Sequence, residues 1–407
     1  MTRSVVIHGH FYQPPRDDPR TGIVPLEANA APYHDWNERI ERECYAPVAP
    51  SLASLSFDFG PTLLEWMERA APETYAAVLA ADRAGGGAMA MPYHHVILPL
   101  SPRRDKTTEV RWGIADFRRR FGREPEGMWL PETAVDHETL DVLAEEGIRF
   151  TVLAPHQVER APAGGLPGWY HTAGGGGRRI ALFIYDGPLS HGVAFGPLVN
   201  DAAQWVERLR SASGDLVSIA TDGETYGHHH KGGAVTLARV LETIETENYA
   251  SFLARRPPQE DVRLVAPSSW SCPHGVERWR AECGCRAAPE RATQQRWRAP
   301  LRAALEWLSE EIRGAFARDG RALPTALEHQ LLRMFTSCGW FFDDIAGIES
   351  VIVLRSAARA IELAGPPLKI DQARLEAGLL ERLALAPSND PAVGSGRELY
   401  LQRVKAA

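Results

Sequence analysis

The chain has 407 residues, with 45 Lys and Arg against 52 Asp and Glu, and its formal net charge is -7. This balance argues against nucleic acid or an anionic membrane as a partner and favours a neutral substrate, while the length predicts a large core with a second, helical part. No apolar run reaches the roughly 18 residues that span a bilayer, and Met1–His10 lacks a secretory signal pattern. The five cysteines suit a reducing compartment. We therefore expect a cytoplasmic protein.

Short runs rich in branched apolar residues alternate with longer amphipathic stretches, a pattern that predicts β/α units around a parallel sheet. Seven strands are predicted near Ser4–His8, Ala88–Pro92, Gly127–Leu130, Arg149–Leu153, Ile180–Tyr185, Leu216–Thr221 and Val262–Ala266. Helices are predicted between them at Pro61–Asp82, Thr107–Phe121, Asp136–Glu146, Pro197–Leu209 and Ala234–Leu253. The first part of the chain is therefore predicted to form a seven-stranded barrel.

From about Pro289 the pattern changes, and only helical periods recur, at Leu301–Phe316, Pro324–Met334 and Ile348–Leu363. A last short helix is predicted near Arg397–Lys405. We therefore predict a (β/α)7 barrel domain over residues 1–288, which would carry any active site, and a C-terminal helical domain over residues 289–407.

Polar side chains follow most of the predicted strands. In a barrel of parallel strands the carboxyl ends meet at one face, so these side chains are the candidates for chemistry. They are His8, His10, Tyr93, His94, His95, Trp129, Glu132, Asp186, Asp222, Glu224, Ser268, Ser269, Trp270 and His274. A helix cap, an exposed acid or a satisfied polar group explains any one of them, but the joint pattern favours a functional face.

Two of these residues are carboxylates after the third and sixth predicted strands, which lie on opposite sides of a seven-strand ring. Glycosyl transfer uses such a pair, one carboxylate as nucleophile and one carboxylic acid with a raised pKa. We therefore expect Glu132 to face Asp222 across a cleft.

Four motifs in order resemble those of glycoside hydrolase family 57. They are His10-Phe-Tyr-Gln-Pro, Pro92-Tyr-His-His with Leu98-Pro-Leu, Trp129-Leu-Pro-Glu, and Asp222-Gly-Glu-Thr-Tyr-Gly. A fifth region, Thr336-Ser-Cys-Gly-Trp-Phe-Phe-Asp-Asp, resembles the family's Ser-Asp-Trp element, with Cys338 and Gly339 in place of the usual acidic residue. The resemblance implies an α/β fold, an incomplete (β/α)7 barrel followed by a C-terminal α-helical domain.

The resemblance also implies a retaining hydrolase or transglycosylase acting on α-1,4-linked glucan, with an oligo- or polysaccharide substrate and no required cofactor. Glu132 would form the covalent glycosyl-enzyme, and Asp222 would act as acid and then base. The implied substrate-binding residues are His8, His10, Gln13, His94, His95, Trp129, Glu224, Trp270, His274, Trp340, Phe341 and Asp343. Core packing is the alternative for each aromatic member.

Three alternatives remain open at this point. The chain could be a carbohydrate-binding protein without turnover. It could be a zinc-dependent hydrolase using His8 and His10, with Asp222 or the histidine run at 228–230, although that leaves the motif at Glu132 unexplained. Separately, a structural zinc site could form from Cys272, His274, Cys283 and Cys285, with buried thiols as the alternative.

Overall fold

The computed structural model describes residues 3–173, 177–368 and 370–405. The chain divides into two compact units. The barrel unit comprises Met1–Gln13, Leu26–Tyr93 and Ser101–Ser271, and the helical unit comprises Pro14–Pro25, His94–Leu100 and Cys272–Ala407. The domain division predicted between residues 288 and 289 stays a prediction.

The described residues of the barrel unit contain seven strands in two sheets. They are β1 (Ser4–Phe11), β2 (Ser56–Phe59), β3 (Ala88–Met89), β4 (Phe150–Leu153), β5 (Gly168–His171), β6 (Arg179–Ile184) and β7 (Leu216–Asp222). The order is β3-β2-β1-β7 in one sheet and β4-β6-β5 in the other, and only β5 runs antiparallel to its neighbour.

Residues 127–128 join the two sheets into a barrel. Gly127 bridges Phe150 and Met128 bridges Ala90, both in parallel. Seven parallel segments therefore follow one another around the core: the six strands other than β5, and residues 127–128. Between β6 and β7 the described residues form no ladder, so the ring is open there. The predicted α/β fold, an incomplete (β/α)7 barrel followed by a helical C-terminal region, is confirmed.

The membership of the barrel was predicted wrongly at two places. Residues 262–266 form no barrel strand: they alternate between buried and exposed and make isolated bridges, such as Leu264 with Val158. This alternation fits an edge segment, whereas barrel strands are covered on both faces. The missing member is β2, which escaped prediction because it is only four residues long and includes the fully buried Asp58.

The register of the central strands positions the site. In β1 nearly every residue is buried, as expected for a parallel strand with both faces covered. His10 of β1 pairs in register with Asp58 of β2 on one side and with Asp222 of β7 on the other. Three ionisable residues thus lie in one row at the carboxyl ends of adjacent strands.

Helices connect the strands of the barrel unit. They are α1 (Trp36–Ile40), α2 (Ala46–Val48), α3 (Pro61–Ala70), α4 (Pro72–Gly85), α5 (Arg103–Phe121), α6 (His137–Glu145), α7 (Gly187–Ala194), α8 (Ala202–Ser211), α9 (Gly233–Leu241) and α10 (Tyr249–Arg255). The single helix predicted over Pro61–Asp82 is two helices, because Pro72 lacks the N–H that would continue the first and instead begins the second. The helix predicted over Ala234–Leu253 is also two helices, because α9 ends at Leu241 and, after a loop, the side chain of Asn248 caps the start of α10.

The helical unit contains α11 (Arg298–Arg318), α12 (Thr325–Arg333), α13 (Cys338–Phe341), α14 (Ile348–Leu368), α15 (Gln372–Leu383) and α16 (Gly396–Tyr400). On α11, Leu301, Leu305, Leu308 and Ile312 are fully buried at helical spacing and form one wall of the core of this unit. Across the described part of the chain, no helix has both the length and the apolar character needed to cross a membrane.

Candidate active site

The centre of the site is a buried carboxylate shared by two histidines. Asp58 is fully buried, and its Oδ1 lies 3.0 Å from Nε2 of His8 while its Oδ2 lies 2.8 Å from Nδ1 of His10. The other ring nitrogen of His8 lies 3.0 Å from Oγ of Ser56. Both nitrogens of His8 are thus engaged by protein groups, an arrangement that orients the ring through hydrogen bonds and does not favour the zinc-hydrolase alternative.

The two histidines differ in charge. Burial dominates at His8 and lowers its pKa, despite the hydrogen bond with Asp58. Burial would also lower the pKa of His10, but the charge and hydrogen bond of Asp58, with smaller contributions from Asp222 and Glu224, raise it to about 9. At neutral pH, His10 is therefore an imidazolium and His8 is neutral. Burial acts to raise the pKa of Asp58, but His10 opposes this effect, and the pKa of Asp58 is lowered.

Asp222 ends β7, next to His10. Burial raises its pKa to about 7; the His10 cation opposes this increase, and the charges of Glu224, Glu132 and Asp58 add to it. Near neutral pH this carboxyl therefore exchanges its proton readily, which is the property that a general acid/base needs. Glu132 contributes to this shift, so the two predicted catalytic carboxylates lie within electrostatic reach of each other.

Glu132 lies in a strained backbone segment. Its φ is 58°, and that of Thr133 is 48°, both in the left-handed region that few residues other than glycine adopt. Tertiary contacts hold the segment, because Gln157 bonds to both the hydroxyl and the carbonyl of Thr133, and the backbone N–H of Trp270 donates to the Glu132 carbonyl. Strain of this kind persists where surrounding structure fixes a side chain for function.

Two donors meet one oxygen of the Glu132 carboxylate. The indole Nε1 of Trp270 lies 3.1 Å from Oε2, and the Ser271 hydroxyl lies 2.6 Å from the same oxygen. Both bonds orient the carboxylate.

A third carboxylate, Glu224, follows Asp222 by two residues. It accepts a short hydrogen bond from the phenol of Tyr45 and a 3.3 Å bond from the backbone N–H of Tyr12, both at Oε1. Burial and the Glu224 charge raise the pKa of Tyr45 well above its usual value, so the phenol stays a donor. Gln13, predicted to bind substrate, also bonds to Tyr45.

The aromatic candidates of this unit differ in exposure. Trp129 is fully buried and stacks on His8 and His10, with ring centroids 4.6 Å and 5.3 Å away. This burial supports the core-packing alternative, since the ring supports the two histidines. Trp270 is partly exposed and meets Trp129 edge-on at 5.3 Å. Trp270 therefore remains the candidate for contact with a sugar.

The remaining predicted site residues belong to the helical unit. His94 lies 3.1 Å from His329, and His95 lies 2.6 Å from the Ser337 hydroxyl. The other four predicted residues of this unit have local structural partners, which do not support the predicted contact with substrate. Trp340 is fully buried, Phe341 lies under the Arg278 guanidinium, Asp343 accepts from the backbone N–H groups of Ala287 and Ala288, and His274 lies beside Cys285.

Several residues of the site are not evident from the sequence pattern. Asp58 lies in the unpredicted strand β2, Tyr45 lies outside any predicted strand end, and Ser271 is not among the candidates although it follows the candidate Trp270 directly. Tyr185 carries another missed signal, because it ends a predicted strand and its pKa is raised by burial and by the charge of Asp222. Asp186, a sequence candidate, instead caps α7 by accepting from the backbone N–H of Leu189.

Comparison with known proteins connects this arrangement to a family. The model of glycosyl hydrolase family 57 matches residues 37–255, and that of a domain of unknown function, DUF3536, matches residues 325–407. An α-amylase of Pyrococcus horikoshii is 26% identical over 263 residues, covering 58% of this chain and 41% of that protein. A 4-α-glucanotransferase of Thermococcus litoralis is 26% identical over 237 residues, covering 53% and 35%. The chain thus spans less than half the length of these two curated relatives.

Solved structures share the fold. An exo-type maltose-forming amylase from Pyrococcus sp. ST04 superposes with a TM-score of 0.74 at 14% identity, covering 98% of this chain and 91% of that one. A branching enzyme from Pyrococcus horikoshii superposes with a TM-score of 0.61 at 16% identity, covering 94% and 89%. At these identities the likeness concerns the fold alone.

Proposed function

Because the chain belongs to glycosyl hydrolase family 57, we propose that it is a retaining glycoside hydrolase or transglycosylase acting on α-1,4-linked glucan. In this proposal Glu132 is the nucleophile and Asp222 is the general acid/base. The names of its relatives, an α-amylase and a 4-α-glucanotransferase, support the substrate class.

The observation that carries the proposal is the contrast between the two carboxyl groups. Asp222 has a pKa raised to about 7 by burial and neighbouring acids, whereas Glu132 accepts two hydrogen bonds from Trp270 and Ser271 at one oxygen. Two nearby carboxyl groups in such different environments are what double displacement at a sugar requires, one as proton donor and one as nucleophile.

The first step follows from these positions. Protonated Asp222 donates its proton to the glycosidic oxygen as the Glu132 carboxylate attacks the anomeric carbon, so the leaving chain departs as an alcohol. In the second step Asp222, now ionised, removes a proton from water or from an acceptor sugar hydroxyl, which attacks the glycosyl-enzyme. The choice between water and acceptor separates hydrolase from transglycosylase.

The His10 imidazolium adjusts the acid/base. Its charge keeps the pKa of Asp222 from rising further, so that the carboxyl can work in both protonation states near neutral pH. Asp58 keeps His10 protonated, and Trp129 stacks on the imidazole and limits its movement.

Incubation of the purified chain with maltoheptaose and with amylose tests the proposal. Shorter products of retained anomeric configuration indicate a hydrolase, and shorter and longer products together indicate a transglycosylase. An unchanged mixture contradicts the proposal and favours a binding protein or a different sugar.

Variants of the two carboxylates test the roles. Glu132→Gln and Asp222→Asn keep shape and delete charge, and each is expected to lower kcat/KM by about 10³-fold or more. The exposed Glu124→Gln and Asp261→Asn are matched controls and should retain activity. With a maltooligosaccharide bearing an activated aryl leaving group, Asp222→Asn should recover much of the glycosylation rate and Glu132→Gln should not. A rate near that of the wild type on maltoheptaose in Glu132→Gln or in Asp222→Asn would refute the assignment of that residue.

A further inference from the structure

A cluster of four ligand-type side chains lies in the helical unit, and the proposed reaction does not use it. Its members are Cys272, His274, Cys283 and Cys285, and one ligand atom from each lies within 4.8 Å of all the others. Among the residues that the structure describes, this is the group of His, Cys, Asp or Glu side chains whose geometry suits a metal ion. We define these four residues as the cysteine cluster.

The spacing of the ligand atoms matches a tetrahedral zinc centre. With Zn–S bonds of about 2.3 Å and a Zn–N bond of about 2.0–2.1 Å, tetrahedral geometry separates two sulfurs by about 3.8 Å and a sulfur from a nitrogen by about 3.6 Å. In the structure, Sγ of Cys272 lies 4.0 Å from that of Cys283 and 3.7 Å from that of Cys285. Sγ of Cys285 lies 3.6 Å from Nδ1 of His274.

These separations do not fit a disulfide. A disulfide bond joins its sulfurs at about 2.05 Å, and the three cysteines of the cluster are free thiols. Nor do they fit apolar packing alone, because the three sulfurs and a ring nitrogen converge on one point. The side chain of His274 is exposed, so it does not fill space in a core, and yet its ring nitrogen lies beside the thiols.

The backbone is shaped to bring the ligands together in two short turns. Gly275 follows His274 with φ of 82°, and Gly284 stands between Cys283 and Cys285 with φ of 86°. An added Cβ at Gly284 would meet nothing within 4 Å, so the need for glycine there is one of backbone conformation rather than of space. The turn directs the side chains of Cys283 and Cys285 toward the same centre.

Neighbouring groups complement the charge of a zinc–thiolate centre. Three thiolates and one Zn²⁺ carry a net charge of about −1. The guanidinium of Arg298, which is fully buried, lies 3.9 Å from Sγ of Cys283 and donates to the carbonyl of Cys285 at 3.1 Å. The backbone N–H groups of His274 and Arg278 are directed at Sγ of Cys272. Such outer contacts orient ligands and stabilise their negative charge.

We propose that the cysteine cluster binds one zinc ion through three thiolates and Nδ1 of His274. All four positions are filled by protein, so the site is closed and its role is structural, unlike an open catalytic site. The zinc would cross-link the segment 272–285, which contains no α-helix or β-strand to stabilise it. This inference is independent of the proposed glucan chemistry.

Metal analysis of the intact protein is the first test. Protein purified without an affinity tag that binds metal should contain about one zinc per chain by mass spectrometry. Replacement by Co²⁺ should give the intense visible absorption of a tetrahedral thiolate site. Metal-free folded protein that takes up neither ion, stoichiometric iron, or a disulfide within the cluster would each overturn the proposal.

Variants locate the site and guard against a folding failure. Cys285→Ser and His274→Ala should each lower zinc content and weaken zinc affinity at least about 10-fold, and the exposed position of His274 makes its variant the safer one for folding. Cys44→Ser, at a buried thiol of the barrel unit, is the matched control and should keep one zinc. Zinc content that is unchanged in both cluster variants would refute the assignment.

Removal of the ion supplies a readout separate from activity. A chelator under reducing conditions should lower the Tm of the wild type by several degrees, and added zinc should restore it. The same treatment should lower the Tm of folded His274→Ala by less than it lowers that of the wild type, because this variant holds less zinc. A Tm of the wild type that does not respond to a chelator that has removed the zinc would contradict a structural role.

Discussion

Removing the positive charge of His10 should move the pH optimum of the proposed glucan-cleaving activity upward. His10 is protonated at neutral pH, and its charge is the main influence that opposes the rise in the pKa of Asp222 to about 7. In His10→Asn the amide nitrogen can replace Nδ1 as the donor to Asp58, but the cation is gone. Asp222 should then stay protonated to higher pH.

The size of the shift follows from the position of the two residues. They are register partners on adjacent parallel strands, which lie about 4.8 Å apart. For charges about 6 Å apart at an effective dielectric constant of about 20, Coulomb's law gives about 3 kcal/mol, or about 2 pH units. Asp58 loses its cationic partner too and should take up a proton more readily, which removes part of the increase. We therefore expect a net upward shift of about 1–2 units.

The measurement is kcat/KM for maltoheptaose as a function of pH. In the wild type this value should fall as pH rises through about 7, because in the proposed mechanism glycosylation needs protonated Asp222. In His10→Asn the same decline should occur near pH 8–9, with a lower maximum because a site contact has changed. The matched control is His8→Gln, since burial lowers the pKa of His8 and leaves it neutral. A basic limb in His10→Asn that coincides with that of the wild type, or lies below it, would refute the electrostatic reasoning.

Two further substitutions test other parts of the structure. Ser271→Ala removes a 2.6 Å hydrogen bond to the Glu132 carboxylate and should lower kcat about 10–100-fold through loss of orientation, with folding unchanged by circular dichroism; an unchanged kcat would contradict this. Gly113→Ala would place a Cβ 2.0 Å from the backbone oxygen of Met91 and should reduce the free energy of unfolding by about 2–3 kcal/mol in urea titration. As a control, Ala115→Gly at an exposed position of the same helix should reduce the free energy of unfolding by only about 1 kcal/mol. An effect of Gly113→Ala that is equal to or smaller than that of the control would contradict the steric reasoning.

Strand-end position in the sequence selected His10, Glu132 and Asp222 as candidates, and the structure brings them within electrostatic reach of one another, while their catalytic roles stay a prediction. His10, Glu132 and Asp222 follow apolar runs, and the carboxyl ends of parallel strands meet at one face whatever their exact order. The error at 262–266 does not affect these three candidates, because they follow β1, β7 and the segment at 127–128. Likewise, the spacing of the four members of the cysteine cluster was visible in the sequence.

Other features required the tertiary structure. Nothing local distinguishes Asp58 from any acid between two phenylalanines, and its function as the shared partner of His8 and His10 arises only when β2 pairs with β1. The left-handed backbone at Glu132 is equally hidden, since it is imposed by contacts with residues far along the chain.

The sequence by itself therefore determined the alternation of strands and helices over most of the barrel unit, the family, and the choice of Glu132 and Asp222 as catalytic candidates, because these depend on periodicity and on motifs that are local in the chain. Only the tertiary structure decided the protonation of His10, the raised pKa of Asp222 and the orientation of Glu132 by Ser271. The physical reason is that burial and charge–charge interaction depend on distance in space, which strand pairing sets and sequence separation does not.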